Sequence, residues 1–130
     1  VGEVQVPVLH IYSPLDSPPS ALLENLCSGI LGILHLPPGH CWAIWHEVAP
    51  HNFHRDGWHY GAMDNGPIVT IYCKRTYNKE EISRMLLFTR DTLASGLSCD
   101  AAAVYATVQR VQPGETLVRG GIWQEVEGAP

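Results

Sequence analysis

The 130-residue sequence predicts an α/β (α+β) domain in which a β-α-β unit is written twice, giving a four-stranded mixed sheet with two helices on one face. Two observations and one rule of chain topology carry this prediction. Pro7-Val8-Leu9-His10-Ile11-Tyr12 and Pro67-Ile68-Val69-Thr70-Ile71-Tyr72 match 60 residues apart, with Pro, Ile and Tyr identical. Each match is followed by a turn, a stretch with helical apolar spacing and a second apolar strand. A helical crossover between two strands of one sheet makes them parallel and right-handed, so two such units side by side place both helices on the same face.

Each element has its own local reason. The two matched segments read as strands opened by proline, a position where the missing N–H does no harm. Ser17-Pro18-Pro19 leads into a helix over Ala21 to Leu34, with Leu22, Leu26, Ile30 and Ile33 on one face. His40 to Val48 reads as the second strand, with Trp42 and Trp45 on opposite faces because they are three residues apart. In the second copy Asn78 caps a helix through Leu93 whose first turn carries Glu80 and Glu81, favourable at a helix N-terminus. Ile82, Leu86, Thr89 and Leu93 form its stripe, and Gly96 is its predicted stop. Ala101 to Val111 is the fourth strand. Trp58-His59-Tyr60-Gly61 and Leu117-Val118-Arg119-Gly120-Gly121 are the small hairpins that close each copy. The whole chain, 1–130, is thus a single domain, with repeats over about 7–66 and 67–125 and an extension over 1–6.

Composition bounds the function. The chain is 45% apolar and 16% charged, with a formal net charge of -5, and an acidic balance argues against a nucleic-acid partner. The longest apolar stretch, Ile30 to Leu36, is too short to span a bilayer, and the first residues show neither a basic nor an apolar leader region. The expectation is a cytoplasmic, soluble protein with no membrane partner. Cys27, Cys41, Cys73 and Cys99 lack a C-x-x-C spacing and are expected as reduced thiols, with Cys73 and Cys99 in the core. His46-Glu47-Val48-Ala49-Pro50-His51 is one residue too long for H-E-x-x-H, and Pro50 breaks the helix that motif needs, so no metal or other cofactor is expected. One sheet face has no helices to cover it. It is expected to lie inside a symmetric assembly.

The doubled unit of about sixty residues, each copy opening on proline, resembles the tautomerase superfamily over Pro7 to about Trp123. The likeness is to the fused members, of the malonate semialdehyde decarboxylase and cis-3-chloroacrylic acid dehalogenase kind. His46-Glu47-Val48 resembles the decarboxylase branch; Tyr105 and Arg75 resemble positions of the dehalogenase branch. The resemblance implies a homotrimer and proton-transfer chemistry on a small carbonyl or enol substrate that bears a carboxylate. It also implies catalysis by a proline amine whose pKa falls in an apolar pocket.

By that likeness Pro7, Tyr105 and His10 are the candidate catalytic residues. Arg75, with Lys74 and Arg119, is the candidate carboxylate anchor, because a guanidinium fork can bond both oxygens. Trp45 is the candidate aromatic wall. The sequence departs from the pattern at Pro7, which follows Val6 and therefore has an amide nitrogen. Either processing frees that nitrogen or a group such as His10 or Tyr105 replaces it. Decarboxylation, dehalogenase-like or biosynthetic chemistry without a free proline, and a trimeric binding protein without catalysis, are the alternatives.

Overall fold

The computed structural model describes residues 7–56 and 66–124. Along them run β1 (Val8–Ser13), α1 (Leu22–Leu34), β2 (Trp42–Glu47), β3 (Ile68–Lys74), α2 (Lys79–Leu97), β4 (Tyr105–Val111), β5 (Leu117–Val118) and β6 (Gly121–Ile122). The main sheet has the order β2-β1-β3-β4. Within each copy the strands are parallel, β1 with β2 and β3 with β4, and the copies meet antiparallel at β1 and β3. The expected four-stranded mixed sheet with two helices is the observed one.

The core lies between the sheet and the helices. Leu9, Ile11, Val69, Ile71 and Cys73 alternate onto the covered face and meet Leu22, Leu26, Ile30 and Leu34 of α1 and Met85 and Leu93 of α2. Leu34, rather than the expected Ile33, completes the buried stripe, because α1 begins at Leu22 and Ile33 turns to the flank. Asn78 caps α2 in a full capping box with Glu81.

Two boundaries differ from expectation. The helix α2 does not stop at Gly96; it runs to Leu97 and closes on Ser98 in the left-handed conformation. Gly96 serves the packing of the two helices, since a Cβ there would lie 2.7 Å from Leu22 Cδ1. The fourth strand begins at Tyr105 rather than Ala101, because Asp100 accepts a hydrogen bond from the Ala102 N–H at 2.9 Å and winds Ala101–Ala103 into a 3-10 turn.

The expected hairpin at Leu117 forms: Leu117 pairs with Ile122 and Val118 with Gly121 around a two-residue loop, Arg119-Gly120. The other expected hairpin, Trp58-His59-Tyr60-Gly61, lies outside the described residues, as does the extension over 1–6. Among the described residues no helix is long and apolar enough to cross a membrane.

Candidate functional site

The open face of the sheet is built from the alternate residues of every strand. Val8, His10 and Tyr12 share it with Trp42, Ile44 and His46 of β2, with Ile68, Thr70 and Tyr72 of β3, and with Tyr105, Thr107, Gln109 and Val111 of β4. Tyr12, Trp42, Ile44, Ile68, Tyr72 and Tyr105 are exposed on it.

At the end of this face where β1 begins, the hairpin folds over the sheet. Trp123 holds it there, 4% exposed against Val8, Val111 and Val118, and its backbone bonds Gly114 N–H at 2.7 Å and Thr116 O at 2.8 Å. The result is a groove of about 440 Å3 between Val8, His10, Trp42, Tyr72 and Val111 below and the Thr116–Gly120 segment above. Of the described residues lining it, only Arg119 carries a fixed charge.

Arg119 sits at φ 47° and Gly120 at φ 82°, the positive pair that a tight two-residue hairpin loop requires. Glycine or asparagine is the ordinary occupant of the first position; a long, charged side chain there costs about 1 kcal/mol.

His10 forms part of an imidazole pair. Its Nδ1 lies 2.8 Å from Nε2 of His46, the ring centroids are 5.0 Å apart with their planes within 21° of parallel, and the Tyr12 ring stacks on His46 at 4.5 Å. The Tyr72 ring meets His10 edge-on at 5.7 Å. The bond needs one donor and one acceptor, so at most one of the two rings is charged while it holds. It fixes the orientation of His10 and leaves Nε2 as the ring nitrogen for other work.

The structure thus brings His10 and Arg119 to one groove and distributes the other expected residues elsewhere. Pro7 is fully buried at the start of β1, where its carbonyl accepts from Trp42 N–H at 3.1 Å. Tyr105 occupies the same open face at the opposite end, level with Ile68. Arg75 is exposed in the turn after β3, and its carbonyl, with those of Lys74 and Tyr77, is bonded by the Arg110 guanidinium. Lys74 is buried with its ammonium over the Tyr77 ring at 5.5 Å. Neither Arg75 nor Lys74 lines the groove. Trp45 turns to the helix-covered face and donates to Leu15 O at 3.2 Å, so the aromatic wall is Trp42 instead.

His46, Trp42 and Trp123 are the contributors that sequence reasoning does not assign to the site. Their signal is alternation, which needs the cross-strand register before it becomes an address. Among the described residues no three histidine, cysteine or carboxylate side chains converge as a metal site.

Neither a protein-family description nor a curated protein sequence matches the chain. Solved structures do. A fused 4-OT symmetric trimer superposes with a TM-score of 0.80 at 16% identity, covering 95% of this chain and 100% of that one. Pt0534 inactivated by 2-oxo-3-pentynoate gives 0.81 at 13% identity, covering 94% and 99%. FG41 malonate semialdehyde decarboxylase inhibited by 3-bromopropiolate gives 0.68 at 14% identity, covering 85% and 88%.

The chain has the tautomerase-superfamily fold. Within that fold the two prolines that open β1 and β3 occupy equivalent places, each accepting on its carbonyl the first N–H of its parallel partner, Trp42 and Tyr105, at 3.1 Å. That fold is therefore twofold in backbone here, and among the described residues the groove with His10 and Arg119 stands at the Pro7 end.

Proposed function

We propose that the chain is a tautomerase-like enzyme that moves a proton on a small carbonyl or enol substrate bearing a carboxylate. One observation carries the reading: a single groove is lined by a fixed cation, Arg119, and by an oriented imidazole, His10, among apolar residues. In such a setting Arg119 holds the substrate carboxylate in its planar fork, and the surrounding Val8, Trp42, Tyr72 and Val111 exclude water and strengthen that pairing. His10 takes the proton from the enol oxygen, or from the carbon beside the carbonyl, and returns it at the other site, so atoms balance within the substrate. His46 keeps the ring in place by holding Nδ1.

Pro7 has an amide nitrogen in this sequence and is fully buried, which supports giving the base role to His10. If the peptide bond before Pro7 is cut, its amine lies beside Val8 at the groove wall and the two bases become alternatives.

The enzyme so read is a homotrimer, in the cytoplasm, with no cofactor. The exposed aromatic and aliphatic residues of the open face support an assembly that covers them. The fused 4-OT of the comparison is a trimer. In such a trimer Tyr105, 59% exposed at the far end of the face, and Arg75 serve a neighbouring copy rather than their own groove.

The test is turnover of phenylenolpyruvate or a 2-hydroxydienoate, with sedimentation to report assembly. The expected result is catalysis by a trimer that falls at least about a hundredfold in His10→Gln. Equal rates in the two proteins would remove His10 from the reaction. A trimer that binds the substrate without turning it over would make the protein a binding module.

A further inference from the structure

The imidazole pair has a geometry that proton transfer does not use. His10 of β1 and His46 of β2 come from adjacent parallel strands and share the open face, and their facing nitrogens, Nδ1 and Nε2, stand 2.8 Å apart. The Tyr12 ring stacks on His46 and the Tyr72 ring meets His10 edge-on, so aromatic neighbours hold both imidazoles. Both histidines are half-buried, and His10 lines the groove, which gives a small hydrated ion a route to the pair.

Two nitrogen donors held at one separation form a chelate, and the separation selects the metal. A first-row divalent ion binds imidazole nitrogen at about 2.0–2.1 Å, so two such bonds at a right angle set the nitrogens about 2.9 Å apart, whereas a tetrahedral angle needs about 3.4 Å. The observed 2.8 Å fits neighbouring corners of a square and is short for tetrahedral zinc. The surroundings point the same way. On this face His10 pairs across the strands with Ile44 and Thr70, and His46 pairs with Tyr12, so no carboxylate of the kind a hard cation needs stands at these positions. Cys41 and Cys73 pack into the helix-covered core, away from the pair. A two-nitrogen donor set completed by water in square geometry suits copper(II), which is also the strongest binder of the divalent series.

We propose that His10 Nδ1 and His46 Nε2 chelate a copper(II) ion whose remaining positions are filled by water. The ion takes the place of the proton in the hydrogen bond. The ring that donated releases that proton and takes one on its other nitrogen, so both rings stay neutral, both offer a lone pair to the metal, and no electron is transferred. The rings turn about their Cβ–Cγ bonds until the two lone pairs meet the ion. The site stands on the geometry of the pair and not on the proposed reaction, but it has a consequence for that reaction. With Nδ1 on copper, Nε2 of His10 carries the proton and can no longer act as a base.

The experiment adds copper(II) sulfate to the full chain in a non-coordinating buffer at neutral pH and records electron paramagnetic resonance and nitrogen-15 correlation spectra. The expected outcome is a copper signal with two equatorial imidazole nitrogens and paramagnetic broadening centred on His10, Tyr12, His46 and Tyr72. His10→Gln and His46→Gln should each weaken copper binding at least about tenfold, since losing even an outer partner of a metal ligand costs that much. His51→Gln should leave it unchanged. Broadening centred on other histidines, or a two-imidazole signal that survives in both glutamine variants of the pair, would overturn the proposal. So would zinc(II) binding the native chain as tightly as copper(II). The native-chain spectra decide the question even if a variant fails to fold. Turnover of phenylenolpyruvate separates the two readings: copper bound at the pair with turnover unchanged keeps the site and removes His10 as the base.

Discussion

The two ends of the open sheet face share one backbone plan and differ in what closes them. At the Pro7 end, the hairpin pinned by Trp123 roofs a groove that both Arg119 and His10 line. At the Pro67 end, the Arg55 guanidinium ties the chain shut, donating to Ala103 O at 2.6 Å and to Gly66 O at 3.1 Å. Gly66 fits there because a Cβ would collide with the carbonyl of Ala103. Repetition supplies two equivalent corners; among the described residues one is roofed into a cleft and the other is tied by a clasp. Arg55 is also the one lysine or arginine of the first copy, so the uneven charge distribution along the sequence has a structural counterpart.

The contrast yields graded expectations. Trp123→Ala removes the anchor of the roof and should cost about 3 kcal/mol, typical of truncating a buried tryptophan, with a loss of turnover that follows the hairpin. Denaturant unfolding and rate measurements check both. Arg55→Met leaves two carbonyls without their charged donor, a loss of about 2 kcal/mol seen in urea denaturation, with turnover by the folded fraction retained. A rate that collapses with Arg55 would show that the two ends are not independent.

Arg119→Gly separates anchoring from strain. It relieves the left-handed strain, so stability should rise by about 1 kcal/mol in thermal melts while substrate affinity falls. The smallest effect distinguishes two of the cysteines. With Cys27 ionising below its ordinary range and Cys99 pushed up by burial, iodoacetamide at about pH 8 should modify Cys27 ahead of Cys99. The gap should narrow as the pH rises and more of the resistant thiol ionises.

Much of the fold is legible in the sequence because repetition and periodicity are local signals. Pro7 and Pro67 announce β1 and β3, and the stripes of α1 and α2 follow a 3.6 period. What resists reading depends on contacts across the chain. Gly96 looks like a helix stop until Leu22 packs against it. Ala101–Ala103 looks like strand until the Asp100 carboxylate captures a local N–H. Alternation sets Trp42 and Trp45 on opposite faces, yet only the pairing of Trp42 with Val8, and the burial of Leu9 and Ile11, says which is which. His46 meets His10 for the same reason: the β1–β2 register sets Tyr12 beside it and His10 one pair away on the same face. Family likeness points to Arg75 as the anchor, whereas the guanidinium at the groove, Arg119, is presented by turn geometry.

The central claim is that one groove pairs an anion anchor with a proton-transferring imidazole, and Arg119→Gly tests it most directly. Turnover of phenylenolpyruvate should be measured beside thermal melting for the native chain and this variant. The expected result is a kcat/KM at least about tenfold lower, the loss of one charged hydrogen-bonded anchor, with a melting temperature equal or higher. Unchanged kcat/KM in a variant of equal or greater stability would contradict the claim.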